Sequence, residues 1–432
     1  MKTLCHLVLV AMLTQSAAAD PSPPPIEVDS LASLRTHLAV DHAHVRMKPG
    51  TYRIDDAPGH HFFRFTGRQA RFDMTGVTFE IDNRLFSKFG VVPGTDGFYC
   101  VIDLIGDGIV FQGLTTKNIG PESSAQSRNK IFNVVGSDIL LKDVDITTSG
   151  SSPWGYGSLY GLGGGPVRKM NGIRVGWPAK NVTLSNCRVH MRAMGHAIFV
   201  QGAEHTLIDD CHVDGLLRPT DEILAETAGF AFERDFKAKT GGYVEGVTVG
   251  DDRSILPGEM LSLSEDGIRL YGHGGADKIP TGATTIRNCT VQQMRRGICT
   301  GLGPGADTVT GCEVTDCVAA GFNIGGGDRV TQCRADARYA EALSCPYYGS
   351  KQARVELDIL DSRDGLANDL LATLNGTEHV VRLTTADPTF VPRAFTIAKG
   401  TNRGYAFYQR RRGEPVARDI TLDNQTPATV VE

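Results

Sequence analysis

The sequence predicts an all-β chain wound into a solenoid, and three observations predict it. The first is a recurring interval: Cys187 to Cys211 is 24 residues, Cys289 to Cys312 is 23, and Cys312 to Cys333 is 21. A fixed period of this size marks one supersecondary unit stacked on the next. The second is that each interval holds short β-rich runs and no helical heptad, as in "NGIRVGWPAKNVTLSNCRVHMRAM" followed by "HAIFVQGAEHTLIDDCHV". The third is alternation at period two in the first run of each coil. Ile173 and Val175, Ile198 and Val200, and Ile268 and Leu270 face inward, which leaves Arg174, Phe199, Arg269, Cys299 and Asn323 facing outward. Each turn then supplies three short strands and three corners.

Taken in order, residues 1–19 carry Lys2, an apolar stretch from Leu4 to Leu13, and Ala17-Ala18-Ala19. These are the n-region, h-region and cleavage site of a signal peptide cut after Ala19. A secreted or periplasmic protein is expected, since the apolar run is too short to span a membrane. Residues 20–25 form a Pro-rich linker. "DSLASLRTHLA" is a short amphipathic helix capped by Asp29 or Ser30, placed to cover the open end of the solenoid. From there residues 26–432 are one domain. "VRMKPGTYRI" starts the first coil, "GIVFQGLTT" and "DILLKDVDITTSG" continue it, and "RVELDIL", "HVVRLTT", "RAFTIAKG" and "DITLDNQTPATVV" carry it to the C-terminus. Two long loops, at about 149–170 and 216–246, both leave after a third strand and return to a first strand. They are expected to rise on one side and wall a groove.

One corner repeats most clearly. Asn186, Asp210, Asn288, Gly311 and Gln332 each precede a cysteine of the repeat and suit a left-handed bend. Cys187, Cys211, Cys289, Cys312 and Cys333 would then stack inward as reduced thiols, because in-register parallel strands point side chains the same way, a poor geometry for a disulfide. Cys100, Cys317 and Cys345 fall outside this column and are the candidates for pairing. Arginines follow the cysteines: Arg192, Arg218, Arg295, Arg296 and Arg338. They are expected along the groove edge.

Net charge is −5 and the pI about 6.2, so nothing global argues for nucleic acid. The cations gather locally instead. Lys169, Asn171, Arg174, His196 and Arg269 lie on or just before first strands, with Tyr271 two residues past Arg269 and the acids Glu265 and Asp266 beside them. Repeated guanidinium forks suit a polymer with repeated carboxylates. β-Elimination at a uronic acid needs a group that neutralises the carboxylate, a base for the C5 proton and an acid for the departing oxygen. Lys169, His196, Arg269 and Tyr271 are the catalytic candidates. Asn171, Arg174, Arg192, Arg218, Arg295, Arg296 and Asp266 are the substrate-binding candidates. Calcium remains possible as a cofactor, although Asp209, Asp214, Asp221 and Glu222 have no diagnostic spacing.

With "KPGTYRI" after a capping helix, the "GIRV…NVTLSNCRV" coils and the corner column in place, the chain resembles the exported right-handed parallel β-helix proteins of the pectate-lyase-like superfamily over residues 26–432. The stretches "GHAIFVQGAEHTLIDDC" and "SEDGIRLYG" look most like bacterial lyases of alginate or poly-mannuronate. The resemblance implies a single-stranded right-handed parallel β-helix and a polysaccharide lyase acting as a monomer on an anionic polysaccharide. A glycoside hydrolase, a C5-epimerase and a non-catalytic glycan-binding β-helix stay open as alternatives on the same scaffold.

Overall fold

The computed structural model describes residues 24–56, 59, 61–87, 100–121, 129–157, 168–229, 232, 257–274, 279–302, 306–365, 368–401 and 416–432. The expected signal peptide and much of both long loops lie outside them. The chain winds as a right-handed parallel β-helix. One face is a twelve-stranded sheet running in chain order from His61–Phe65 through Cys100–Leu104, Asn129–Val134, Met170–Gly176, Ile198–Gln201, Asp266–Tyr271, Arg296–Leu302, Ala320–Asn323, Leu343–Cys345, Leu370–Leu374 and Thr396–Lys399 to Thr429–Val431. The other faces merge into a nineteen-stranded sheet. The solenoid reaches the C-terminus, where Thr429–Val431 pairs in parallel with Thr396–Lys399.

The interior follows from the alternation. Ile173, Ile198, Ile268 and Ile298 stack in one register column, and all are fully buried. The first coils are filled by phenylalanines packed edge-on, such as Phe65 against Phe72 at 4.6 Å, an arrangement that suits the ring quadrupoles. At the N-terminal end Ser30 caps the helix Leu31–Arg35, its hydroxyl accepting from the Ser33 N–H at 3.2 Å, and Leu34 is buried in the core.

The corner column is present. Asn186, Asp210, Asn288, Gly311 and Gln332 all have positive φ, between 50° and 64°, as does Asp143 upstream. The five cysteines behind them are buried and free. They are linked by weak contacts: the Cys289 N–H donates to Cys312 Sγ at 3.5 Å and the Cys312 N–H to Cys333 Sγ at 3.4 Å. Cys100, Cys317 and Cys345 are also buried and free, which corrects the expectation that they pair.

Candidate active site

The outward column of the twelve-stranded sheet is in register as read: Arg174, Phe199, Arg269, Cys299 and Asn323 follow one another from coil to coil. Outward does not mean exposed. Arg174 is 5% accessible, and Phe199, Cys299 and Asn323 are at most 1%. Side chains from neighbouring coils close over this face and bond to one another.

A charged cluster lies where these strands begin. Asp266 opens the strand Asp266–Tyr271 with Glu265 just before it, and both are buried. Lys169 Nζ lies 2.7 Å from Glu265 Oε1. His196 stands between the two acids, with Nε2 3.5 Å from Glu265 Oε2 and Nδ1 3.6 Å from Asp266 Oδ2. Asp266 is gripped by three guanidinium groups. Arg296 donates through Nε at 2.8 Å and Nη2 at 2.9 Å, Arg295 through Nη2 at 3.0 Å, and Arg269 through Nη1. Arg269 also lies over the Tyr271 ring at 5.1 Å, a cation–π distance, and Tyr271 stacks on Phe199 at 6.0 Å. Asn171 positions the next coil: its Oδ1 accepts the His196 backbone N–H at 2.9 Å while its Nδ2 donates to the Asn129 carbonyl at 2.8 Å.

Burial and these partners set the protonation states. Burial works to raise the Glu265 carboxyl, but Lys169, His196 and Arg295 outweigh it and hold the group below the ordinary range. Burial is likewise outweighed at Asp266, by Arg295, Arg296 and Arg269. Burial lowers Lys169, against the pull of Glu265. Burial takes His196 down to about 3, so its ring is neutral. The Asp266 backbone N–H donates to His196 Nδ1 at 3.3 Å, which leaves the ring proton on Nε2, facing Glu265. Among the described residues no group of three or more His, Cys, Asp or Glu side chains is placed to hold a metal ion. Asp266 is wrapped by cations, whereas Glu265 Oε2 is buried with no hydrogen-bond partner among the described residues.

The structure thus brings together Lys169, Asn171, His196, Asp266, Arg269, Tyr271, Arg295 and Arg296. Arg174 lies on the same face, bonded to Asn133 Oδ1 at 3.0 Å and Gln201 Oε1 at 3.1 Å. Three arginines expected along the groove edge are outside this cluster and engaged with other partners. Arg192 turns back onto Asp214 and the carbonyls of Met191 and Gly215, and Arg338 pairs with Asp316 at 2.7 Å. Arg218 lies over the Tyr156 ring at 5.4 Å and holds Glu226 at 2.6 Å, while the Tyr156 hydroxyl donates to the same carboxylate at 2.9 Å. That contact joins Tyr156 of the first long loop to Arg218 and Glu226 of the second; the remainder of both loops lies outside the described residues. Sequence reasoning passed over Trp177 and missed its contact with His273. They stack at 5.8 Å although they stand two coils apart, and no local pattern links them.

Residues 106–336, more than half of the chain, match the family described as "Right handed beta helix region". No curated protein matches the sequence. Among solved structures, the catalytic domain of a GH87 alpha-1,3-glucanase in complex with tetrasaccharides has a TM-score of 0.51 at 10% identity, covering 96% of this chain and 67% of that one. A rhamnogalacturonan lyase has a TM-score of 0.36 at 12% identity, covering 83% and 77%. The surface protein and adhesin PfbA of Streptococcus pneumoniae has 0.40 at 11%, covering 90% and 91%. At such identities these likenesses show the fold alone.

Proposed function

We propose, on the premise that the chain belongs to the right-handed β-helix family, that it is a polysaccharide lyase cleaving a uronic-acid polymer by β-elimination. The observation that carries the reading is a convergence. Lys169, His196 and Arg269, from three successive coils, meet on the adjacent buried carboxylates of Glu265 and Asp266. In this reading Arg269, held by Asp266, takes the sugar carboxylate and so removes the charge that opposes loss of the C5 proton. Lys169, whose ammonium form burial disfavours against the pull of Glu265, takes that proton after passing its own to solvent. The C–H electron pair becomes the C4–C5 double bond. The C4–O bond breaks with its pair on the departing oxygen, which receives a proton from the Tyr271 phenol; water then restores both groups. Neutral His196 keeps Glu265 in place and so orients Lys169. Hydrolysis by a carboxylate pair fits less well, because one of the two acids must be protonated and the cations hold both ionised.

The stretches around His196 and Arg269 that resemble poly-mannuronate lyases make alginate the first polymer to offer, followed by polygalacturonate and hyaluronan. A monomer exported to the periplasm or medium goes with this activity. The expected result is ultraviolet absorbance from the new conjugated double bond. Saturated fragments with new reducing ends would replace elimination with hydrolysis. Lys169→Met should lower kcat at least about a hundredfold with an unchanged circular dichroism spectrum. Turnover close to wild type in that variant would remove Lys169 from the mechanism.

A further inference from the structure

The far edge of the same sheet face carries a feature that the reaction above does not use. Trp177 follows the strand Met170–Gly176, and 48% of it is exposed. Its ring lies nearly parallel to that of His273, at 12° and 5.8 Å. The two residues come from coils on either side of a third, and what lets them meet is Gly202 in the middle coil. Gly202 has φ +74°, and a Cβ there would lie 2.7 Å from His273 Cβ and 3.1 Å from Trp177 Cβ. A glycine in left-handed geometry is the saddle across which the rings close. The lower ring is anchored: Arg174 Nη2 and His273 Nδ1 are 3.3 Å apart, and Arg174 is itself tied to Asn133 and Gln201. Trp177 thus presents an exposed ring on a fixed support.

We propose that Trp177, backed by His273 over Gly202, is a sugar-stacking subsite. It would take the apolar face of the pyranose next to the one that reacts. The inference rests on the polysaccharide reading above. The spacing fits that reading, since His273 is two residues beyond Tyr271 and an extended chain spans roughly 6–7 Å over two residues, comparable to one sugar. The chemistry fits as well. The axial C–H bonds of a pyranose present a weakly positive, apolar face to the negative face of an indole, and the hydroxyls and carboxylate at its rim stay in water or reach the cations beside it.

The protein has two tryptophans, Trp154 and Trp177, so the Trp154→Phe variant leaves Trp177 as the single fluorescent reporter. Titrated with alginate, polygalacturonate and hyaluronan, its emission should shift to the blue and change in intensity with at least one polymer. Trp177→Ala should weaken retardation in gels containing that polymer by about tenfold and raise KM by a similar factor, with a much smaller change in kcat. Gly202→Ala, which forces the rings apart, should reproduce the effect. If a polymer is cleaved while Trp177 emission stays unchanged, or if Trp177→Ala binds a cleaved polymer as wild type does, the subsite is overturned and the lyase reading stands. If Trp177 responds to a polymer that is never cleaved, the subsite stands and the lyase reading falls. An emission unmoved by all three polymers also overturns it.

Discussion

The outward face of the twelve-stranded sheet is one surface with two unlike halves. From Lys169 to Arg296 it carries long charged side chains bonded to one another: Lys169 on Glu265, Arg269, Arg295 and Arg296 on Asp266. From Ala320 to Leu374 the same register column continues as Asn323, Ser344 and Thr373, all fully buried. Here, among the described residues, the Asn323 amide nitrogen and both hydroxyls lack a hydrogen-bond partner, as do both carboxylate oxygens of Glu341 beside them. The backbone is the same in both halves, and so is the inward column of Ile, Leu, Phe and Cys. What differs is only what the sequence places on the outer side. A β-helix draws its stability from the inner columns and leaves the outer face free to carry chemistry on some coils and none on others.

The largest effect that would test this contrast is at Asp266. Three guanidinium groups share its carboxylate inside the protein. Asp266→Ala strips that charge and leaves them to be buried without it, which costs about 3–5 kcal/mol, measured by urea unfolding. A loss below about 1 kcal/mol would mean that the cluster relaxes into water and is no preorganised site.

The two halves should also titrate with opposite signs. Glu265 and Asp266 are held below the ordinary carboxylate range, so their contribution is present at neutral pH and is lost as acid protonates them. Glu341 is pushed by burial up to about 7 from 4.5, against the pull of the nearby Ser344 and Thr373 hydroxyls. The folded state keeps its proton where the unfolded chain has lost it. Its contribution is therefore full below about 4.5 and falls as pH rises through about 7. Stability curves of wild type and Glu341→Gln should diverge across that window, the variant gaining on the alkaline side. Parallel curves from pH 4 to 8 would show that Glu341 is solvated or ionised throughout.

The repeat was legible because it is one-dimensional. A cysteine every 21–24 residues, with a bend-forming residue before it, fixes a corner without knowledge of any other coil, and alternation then assigns the faces. Partners were not legible, because they come from the coil above or below. Arg192 and Arg295 both follow a ladder cysteine, yet the neighbour of Arg192 is Asp214, with about a third of the arginine side chain in water, and that of Arg295 is buried Asp266. Arg192→Ala should cost about 1 kcal/mol or less and leave turnover near wild type, as partly exposed pairs do. Arg295→Ala should cost several times that. Equal losses would restore the view that these arginines are equivalent rungs.

The smallest effect is expected in the neutral half, and its sign is the informative part. Thr373 lies on the outward column, is fully buried, and its Oγ1 has no hydrogen-bond partner among the described residues. The hydroxyl lies beside Glu341 and draws its carboxyl down against burial, but it meets no partner at full hydrogen-bond geometry, so it recovers little of its desolvation. Thr373→Val keeps the branched shape and the strand preference while replacing the hydroxyl by a methyl group. Thermal unfolding should therefore show Thr373→Val as neutral or more stable by up to about 1 kcal/mol. The contrast comes from the charged half, where removing a polar group leaves its partners stranded. A loss of more than about 1 kcal/mol would show that the hydroxyl is satisfied, by water or by the Glu341 carboxyl. The neutral half would then be a bonded network like its neighbour, not an inert continuation of the sheet.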